Sequence, residues 1–355
     1  MVSANRNLPL VASFGVVLNN RTLGKDVTAW MLNVVIEDDV DLPGMFSIDL
    51  ISRQDEHGTV PWTDDARLAL GTSITLSMGY GDRLDPLLVG EITALEPVFH
   101  IGGPPTLLVR GYDKRHRLNT VRRTRSFVDH KDSDIVSNVC QALRIKAQAT
   151  DSNVTHPYVL QSDQTDLEFL LERARRSQFQ LSMQGETLMY GPVGNAGTDI
   201  ATLTLEDDLL DFQPRLSLVP VTQLEAHGWD HKEKATFTAS ASSAKDARKM
   251  GDKSAADTAA GFVGASVQTL LRSPIVSRAE ADQLVQGRFD AAALDYITGF
   301  GTCRGRTDIR AGKVIRIEQV GKRFSGPYYV TSAIHSYTKR HGYITTFRVR
   351  RNASS

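Results

Sequence analysis

Residues 158–181 read YVLQSDQTDLEFLLERARRSQFQL, and this stretch decides how the chain is organised. Thr165 and Glu168 stand at the T-x-x-E spacing of a capping box. In that motif the hydroxyl and the carboxylate each satisfy one orphan backbone N–H at a helix start. Such a cap contributes roughly 1 kcal/mol. Leu167, Leu170, Leu171 and Ala174 follow as one apolar stripe at helical spacing. Glu172 precedes Arg176 in the favourable order for a surface ion pair. The spacing predicts a helix, and the following FQLSMQGETLMYG (179–191) predicts a hairpin turning at Gln184-Gly185.

Working upstream, KDSDIVSNVCQALRI (131–145) places Ile135, Val136, Val139, Cys140 and Leu143 on one helical face. Before it comes GYDKRHRLNTVRRTRSF (111–127), with six cations: Lys114, Arg115, Arg117, Arg122, Arg123 and Arg125. So dense a run invites a nucleic-acid reading. The chain as a whole opposes it, since 41 Lys and Arg balance 41 Asp and Glu. A dedicated phosphate binder draws its affinity from a clear basic excess. Here EDDVD (37–41) and EDDLLD (206–211) offset the run. Partner contacts or internal ion pairs are the expected use of its arginines.

On either side of the helical stretch the sequence reads as strand. Residues 9–112 are mostly β in character, with SITLSMGYGD (73–82) and PLLVGEITALEPVF (86–99) as strand runs and GYGD (79–82) as a turn. DVTAWMLNVVI (26–36) has apolar residues on both faces, which predicts a strand buried on both sides. In GYITTFRVRR (342–351), Tyr343, Thr345, Phe347 and Val349 alternate with Ile344, Thr346, Arg348 and Arg350, the pattern of a half-buried antiparallel strand. SRAE (277–280) opens a further helix. The Ala- and Ser-rich stretch at about 238–274 reads as an exposed, flexible and partly helical insertion. VRGYD (109–113) and AHGWD (226–230) echo one another, as VGEIT (89–93) loosely echoes VTSAI (330–334), which suits two related β domains.

Candidate chemistry is sparse. Cys140 and Cys303 cannot form a disulfide framework, and Cys140 reads as a small core residue. His227 and His231 would lie about 13 Å apart on a strand, too far for one metal. GFGTCRG (299–305) lacks dinucleotide spacing and reads as turn glycines. Glu206, Asp207, Asp208 and Asp211 read as a solvated loop rather than a cation site. No zinc pair, HExxH, GxSxG or P-loop lysine occurs. The expectation is a non-enzymatic protein with no catalytic, cofactor or metal residues. Without a signal peptide or a membrane-length apolar run, it is expected to be a soluble protein made in the cytoplasm.

The basic run, the KDSDI helix, LQSDQTDLEFLLERAR and the later GWD, in that order, resemble the phage late control protein D family. That family comprises the tail hubs of contractile phages and the hub portion of VgrG-type spike proteins. The match spans roughly 85–235 and extends to 351 through GPYYVTSAIHSYT and YITTFRVRR. The resemblance implies a β-rich α+β fold, with two related β-barrel-like domains flanking a small helix-containing α+β domain. The expected division is 1–113, 114–218 and 219–355. It further implies a homotrimeric baseplate hub of a phage tail or phage-derived injection device, a structural virion component joining a six-fold tail tube to a three-fold spike. Since the chain ends after RVRRNASS, the spike is expected to be a separate protein. Other baseplate proteins are further expected partners, with no membrane anchor and no specific nucleic-acid binding. Arg122, Arg123 and Arg125 are the expected subunit or partner contacts. The competing readings are a nucleic-acid-binding regulator and a tail-associated cell-wall hydrolase.

Overall fold

The computed structural model describes residues 11–52, 60–194, 197–219, 222–230, 233–243, 249–270, 275 and 277–355. The first part of the chain contains β1 (Ala12–Leu18), β2 (Arg21–Thr22), α1 (Lys25–Thr28), β3 (Met31–Asp39), β4 (Met45–Ile51), β5 (Ser73–Tyr80), β6 (Arg83–Val98) and β7 (Thr106–Asp113). The stretch 26–36 departs from the expected doubly buried strand. Residues 25–28 form a helical turn, and β3 buries Met31, Val34 and Ile36 while exposing Leu32. A register shift between Met31 and Asn33 in the β3–β4 ladder accompanies this arrangement. The GYGD turn lies at the β5–β6 hairpin tip, with Gly81 at φ +60°.

The middle of the chain holds β8 (Arg122–Lys131), α2 (Asp132–Ala142), β9 (Lys146–Ala149), β10 (Thr155–Thr165), α3 (Asp166–Ser177), β11 (Phe179–Gln184) and β12 (Thr187–Pro192). Both helices follow the sequence pattern. Ile135, Val136, Val139, Cys140, Leu167, Leu170 and Ala174 are buried together with Leu181, Leu188 and Tyr190 in one core. Burial pushes the Cys140 thiol up to about 12, so it is a packing residue and not a nucleophile.

Next come β13 (Asp199–Thr204), β14 (Leu209–Leu216), β15 (Gln223–Asp230), β16 (Ala235–Ala241), β17 (Lys253–Ser254), α4 (Ala255–Val263), β18 (Val267–Leu270) and α5 (Arg278–Leu294). The chain closes with β19 (Ile297–Arg304), β20 (Val314–Glu318), β21 (Gly326–Thr338), β22 (Gly342–Arg351) and β23 (Ala353–Ser354). Within the stretch expected as an insertion, β16 and β18 pair with β15, and α4 supplies the helix. Phe237, Ala239 and Ala241 are buried against Leu284, Val285 and Phe289 of α5. The expectation of flexibility at 244–248 and 271–274 falls outside the described residues.

The architecture is β-rich α+β. One large sheet runs β14-β19-β22-β21-β3-β4-β7-β6-β5-β1-β2, with β20 and β13 branching from β21. It carries two main cores, one built from β1–β7 and one from β13–β14 and β19–β22. The β21–β3 ladder, Ser332↔Asp39 through Thr338↔Asn33, fuses the two halves. The described strand order ends on β14 and β2 and does not close into a ring. β22 follows its predicted alternation, with Tyr343, Thr345, Phe347 and Val349 all buried.

Two sequence expectations about glycine need correction or a physical cause. In GFGTCRG, Gly299 and Gly301 are inside β19, not in a turn. A Cβ at Gly301 would come within 2.6 Å of the Phe347 ring, its cross-strand partner. The GYD and GWD echoes share this device. Gly111 lies under Phe46 and Gly228 under Phe237, each pair directly across a ladder. Their strands are nevertheless placed differently: β7 is inside the large sheet, and β15 is in the separate β16-β15-β18 sheet.

Candidate functional site at the basic junction

The basic run begins where β7 ends. Asp113 Oδ2 accepts hydrogen bonds from the Gly44 N–H (2.7 Å) and Arg115 Nε (3.0 Å), and its Oδ1 accepts from the Arg115 N–H (2.8 Å). Arg115 also donates to the carbonyls of Asp39 (3.1 Å) and Leu181 (3.4 Å). One buried guanidinium thus ties the end of β3, the end of β7 and the middle strand β11 together. Only Gly fits at 44, because a Cβ would sit 2.8 Å from Asp113 Oδ2.

Every cation of the run has an acidic partner within the chain. Lys114 pairs with Glu186 (2.7 Å) and Arg117 with Glu91. Arg122, Arg123 and Arg125 are on β8, which pairs with β10, and face the β10–α3 corner. Arg122 donates to the Asp163 carbonyl (2.8 Å) and to Glu168 (3.3 Å). Arg123 lies 3.4 Å from Asp166, and Arg125 donates to Asp166 (2.6 Å) and Gln161 (2.8 Å). The Arg125 guanidinium is 5.3 Å from the centre of the Phe127 ring, which stacks on Phe169. The acids that neutralise the three arginines therefore come from the adjoining corner. Arg122 and Arg123 keep about half of their side-chain surface open, at 53% and 43%.

The corner is set by the predicted capping box. Glu168 N–H donates to Thr165 Oγ1 (3.2 Å), and Thr165 N–H donates to Glu168 Oε2 (2.9 Å). The Thr165 N–H, helped by Arg122, holds the Glu168 carboxyl below its ordinary range.

A second, buried charge cluster escaped the sequence reading. Arg173 donates to Asp132 Oδ1 (2.5 Å) and lies 2.8 Å from His156 Nε2, which is 3.3 Å from Asp132 Oδ2. Glu280, at the start of α5, accepts from Arg176 (2.8 Å) and faces His156 Nδ1 at 3.8 Å. Burial alone would raise Asp132, but the bonds to His156 and Arg173 outweigh it and hold the carboxyl low. This cluster clamps α5 onto α2 and α3. A signal was present: Arg173 is four residues after Phe169, on the interior side of an otherwise apolar stripe.

Both clusters are networks of ion pairs and hydrogen bonds. No group of three or more His, Cys, Asp or Glu suited to a metal occurs among the described residues. His227 is exposed and bonds Thr238 Oγ1 (2.9 Å), while His231 lies outside the described residues. Asp208 is engaged by Arg306 (2.9 Å) and the Thr204 N–H. No helix among the described residues is long and apolar enough to cross a membrane. What the junction can do is neutralise charge, fix angles between units and present half-open arginines.

Comparison with solved structures gives the fold class. The chain is similar to the 43 kDa tail protein of prophage MuSo2 from Shewanella oneidensis, at 13% identity and TM-score 0.70, covering 96% of this chain and 98% of that one. It is similar to a tail protein of Neisseria meningitidis MC58, at 11% identity and TM-score 0.69, covering 96% and 97%. It is also similar to an E. coli type VI secretion component, described as resembling T4 tail proteins gp27 and gp5, at 12% identity and TM-score 0.59, covering 91% and 74%. The chain thus shares its fold with phage tail proteins and a type VI secretion component, in keeping with the late control protein D resemblance. By sequence, the chain belongs to the family whose model is described as the Alg8 N-terminal domain, which matches residues 10–339. No curated protein matches it.

Proposed function

We propose that this chain is the structural hub of a contractile injection system, a phage tail or a phage-derived device. In this reading three copies form a ring, and each contributes two barrel-like halves, so that six similar units meet a six-fold tail tube while the three-fold axis receives a separate spike protein. Assembly takes place in the bacterial cytoplasm, with other baseplate proteins around the ring. The observation that carries the reading is the end-to-end likeness to tail proteins, covering 96% of this chain and 98% of the Shewanella protein. The two cores on one sheet, joined by β21–β3, support the pairing of two halves within one rigid subunit.

The units of this hub are 1–113, 114–218 and 219–355, with β13 and β14 reaching from the middle stretch to pair with β20 and β19. The open faces of Arg122 and Arg123, with Arg125 behind them, are the surface offered to a neighbouring subunit. The role is mechanical and not catalytic. The family description names no tail, so the functional reading rests on the fold. The test is to purify intact particles from the source cells and label this chain with a specific antibody for electron microscopy. Label confined to the baseplate end of the tail supports the hub. Label absent from particles, with the protein free in the cell, contradicts it.

A further inference from the structure

A cavity of about 600 Å3 forms a groove between the outer face of the large sheet and the middle unit. Its sheet wall is built in register. Arg215 of β14 is opposite Thr298 of β19, which is opposite Arg350 of β22. In the next row Gln213 is opposite Phe300, which is opposite Arg348. Phe300 is 41% exposed at the centre of this patch. The facing wall comes from α3 and β11, which Tyr329 braces through its hydroxyl bond to Gln180 Oε1 (2.6 Å).

The groove is lined by four arginines, Arg175, Arg215, Arg348 and Arg350, against two carboxylates, Asp39 and Asp41. Arg175 is engaged by Asp41 at 2.9 Å, and Arg350 is 3.2 Å from Asp295. Arg215 and Arg348 are exposed, and their guanidinium groups have no ion-pair or hydrogen-bond partner among the described residues. The basic run at 114–125, by contrast, is fully paired inside the chain. Adjoining the groove is a smaller apolar pocket of about 140 Å3 between α3 and α5, which shares Phe179, Val193, Ala291 and Leu294 with it.

We propose that this groove binds an extended acidic segment of a partner protein, with an apolar side chain of that segment seated in the adjoining pocket. The spacing fits a strand-like ligand. Arg348 and Arg350 are two residues apart on one strand, about 7 Å, the rise between carboxylates at alternate positions of an extended chain. Arg215 lies two strands from Arg350, about 10 Å away, within reach of a carboxylate further along. Guanidinium forks take carboxylates bidentately, and Phe300 supplies an apolar platform between them. The inference does not depend on the hub reading, because charge and shape alone carry it.

The test uses the full chain and a fluorescein-labelled peptide of about ten residues, with aspartates at alternate positions and one leucine. Fluorescence anisotropy is read at physiological salt. The expected result is saturable binding that weakens at least tenfold in Arg348→Glu and in Arg215→Glu. Ala291→Trp, which fills the apolar pocket, should weaken it as well, and Arg323→Glu, at an exposed position outside both pockets, should leave it unchanged. All these positions are on the surface, and circular dichroism checks that each variant is folded. Absence of saturable binding overturns the proposal, as does binding indifferent to both reversals. Tighter competition by a short DNA duplex than by unlabelled peptide also overturns it, since the groove would then be a general polyanion surface.

Discussion

Asp113 and Arg115 form a buried ion pair, 2.9 Å apart and with side chains 6% and 2% exposed, at the point where three parts of the chain meet. The pair also holds the Gly44 N–H and the carbonyls of Asp39 and Leu181, so both partners have further hydrogen-bond partners nearby. That is the condition under which a buried pair offsets its desolvation. The opening residues of the basic run are thus a joint and not a docking patch.

Removing one partner strands the other. Asp113→Ala should destabilise the protein by about 3–5 kcal/mol, the range for an uncompensated buried charge. Asp113→Ala combined with Arg115→Met should recover a large part of that loss. Urea denaturation of the two variants checks this, and equal loss in both would show that the charge is not what matters.

His335 makes stability fall in acid. The ring is buried on β21, with Nδ1 2.8 Å from the Tyr343 hydroxyl and 3.2 Å from Thr345 Oγ1. Burial, reinforced by Arg310 and opposed by Asp38 and Asp308, depresses it from 6.5 to about 3. The folded state therefore favours the neutral ring. Its contribution is complete above about pH 6.5 and is lost as pH falls toward 3, at up to about 1.4 kcal/mol per pH unit. Denaturation midpoints measured between pH 7 and 4.5 should fall less steeply in His335→Gln than in the parent. Parallel slopes would remove His335 from the acid response.

How far the sequence could be read follows from what each feature depends on. The α3 cap and stripe and the alternation of β22 are local patterns, and local patterns survive folding: Thr165, Glu168 and Phe347 are where their spacing puts them. The doubly apolar run 26–36 misled because a helical turn and a shifted ladder break its period. GFGTCRG misled because its glycines answer to rings across the sheet, such as Phe347, which no neighbouring residue announces. The partners of Arg122, Arg123 and Arg125 were invisible for the same reason. Asp163, Asp166 and Glu168 are about forty residues away in sequence and adjacent only through the β8–β10 ladder.

Because all six cations of the run are paired within the chain, little of the run is left to attract phosphate. Duplex DNA should bind weakly at physiological salt, with a shallow salt dependence. Submicromolar binding lost steeply with added salt, and abolished by reversing Arg122 and Arg123, would favour the regulator reading.

Arg123 separates the internal and external uses of the run. Its pair with Asp166 is long, at 3.4 Å, and 43% of its side chain is open. As a surface pair it is worth under about 1 kcal/mol to the fold. Arg123→Glu should therefore leave thermal unfolding of the subunit nearly unchanged while weakening association between subunits. A variant that associates as the parent does would confine Arg123 to the β10–α3 corner.

The most direct measurement of the hub account is native mass spectrometry of the full chain, alone and mixed with the spike and tube proteins of the same particle. The account predicts a species three times the 39.1 kDa chain mass, and a trimer that captures one spike trimer on mixing. A chain that stays monomeric at every concentration and with every partner, or that closes at a stoichiometry other than three, would contradict it.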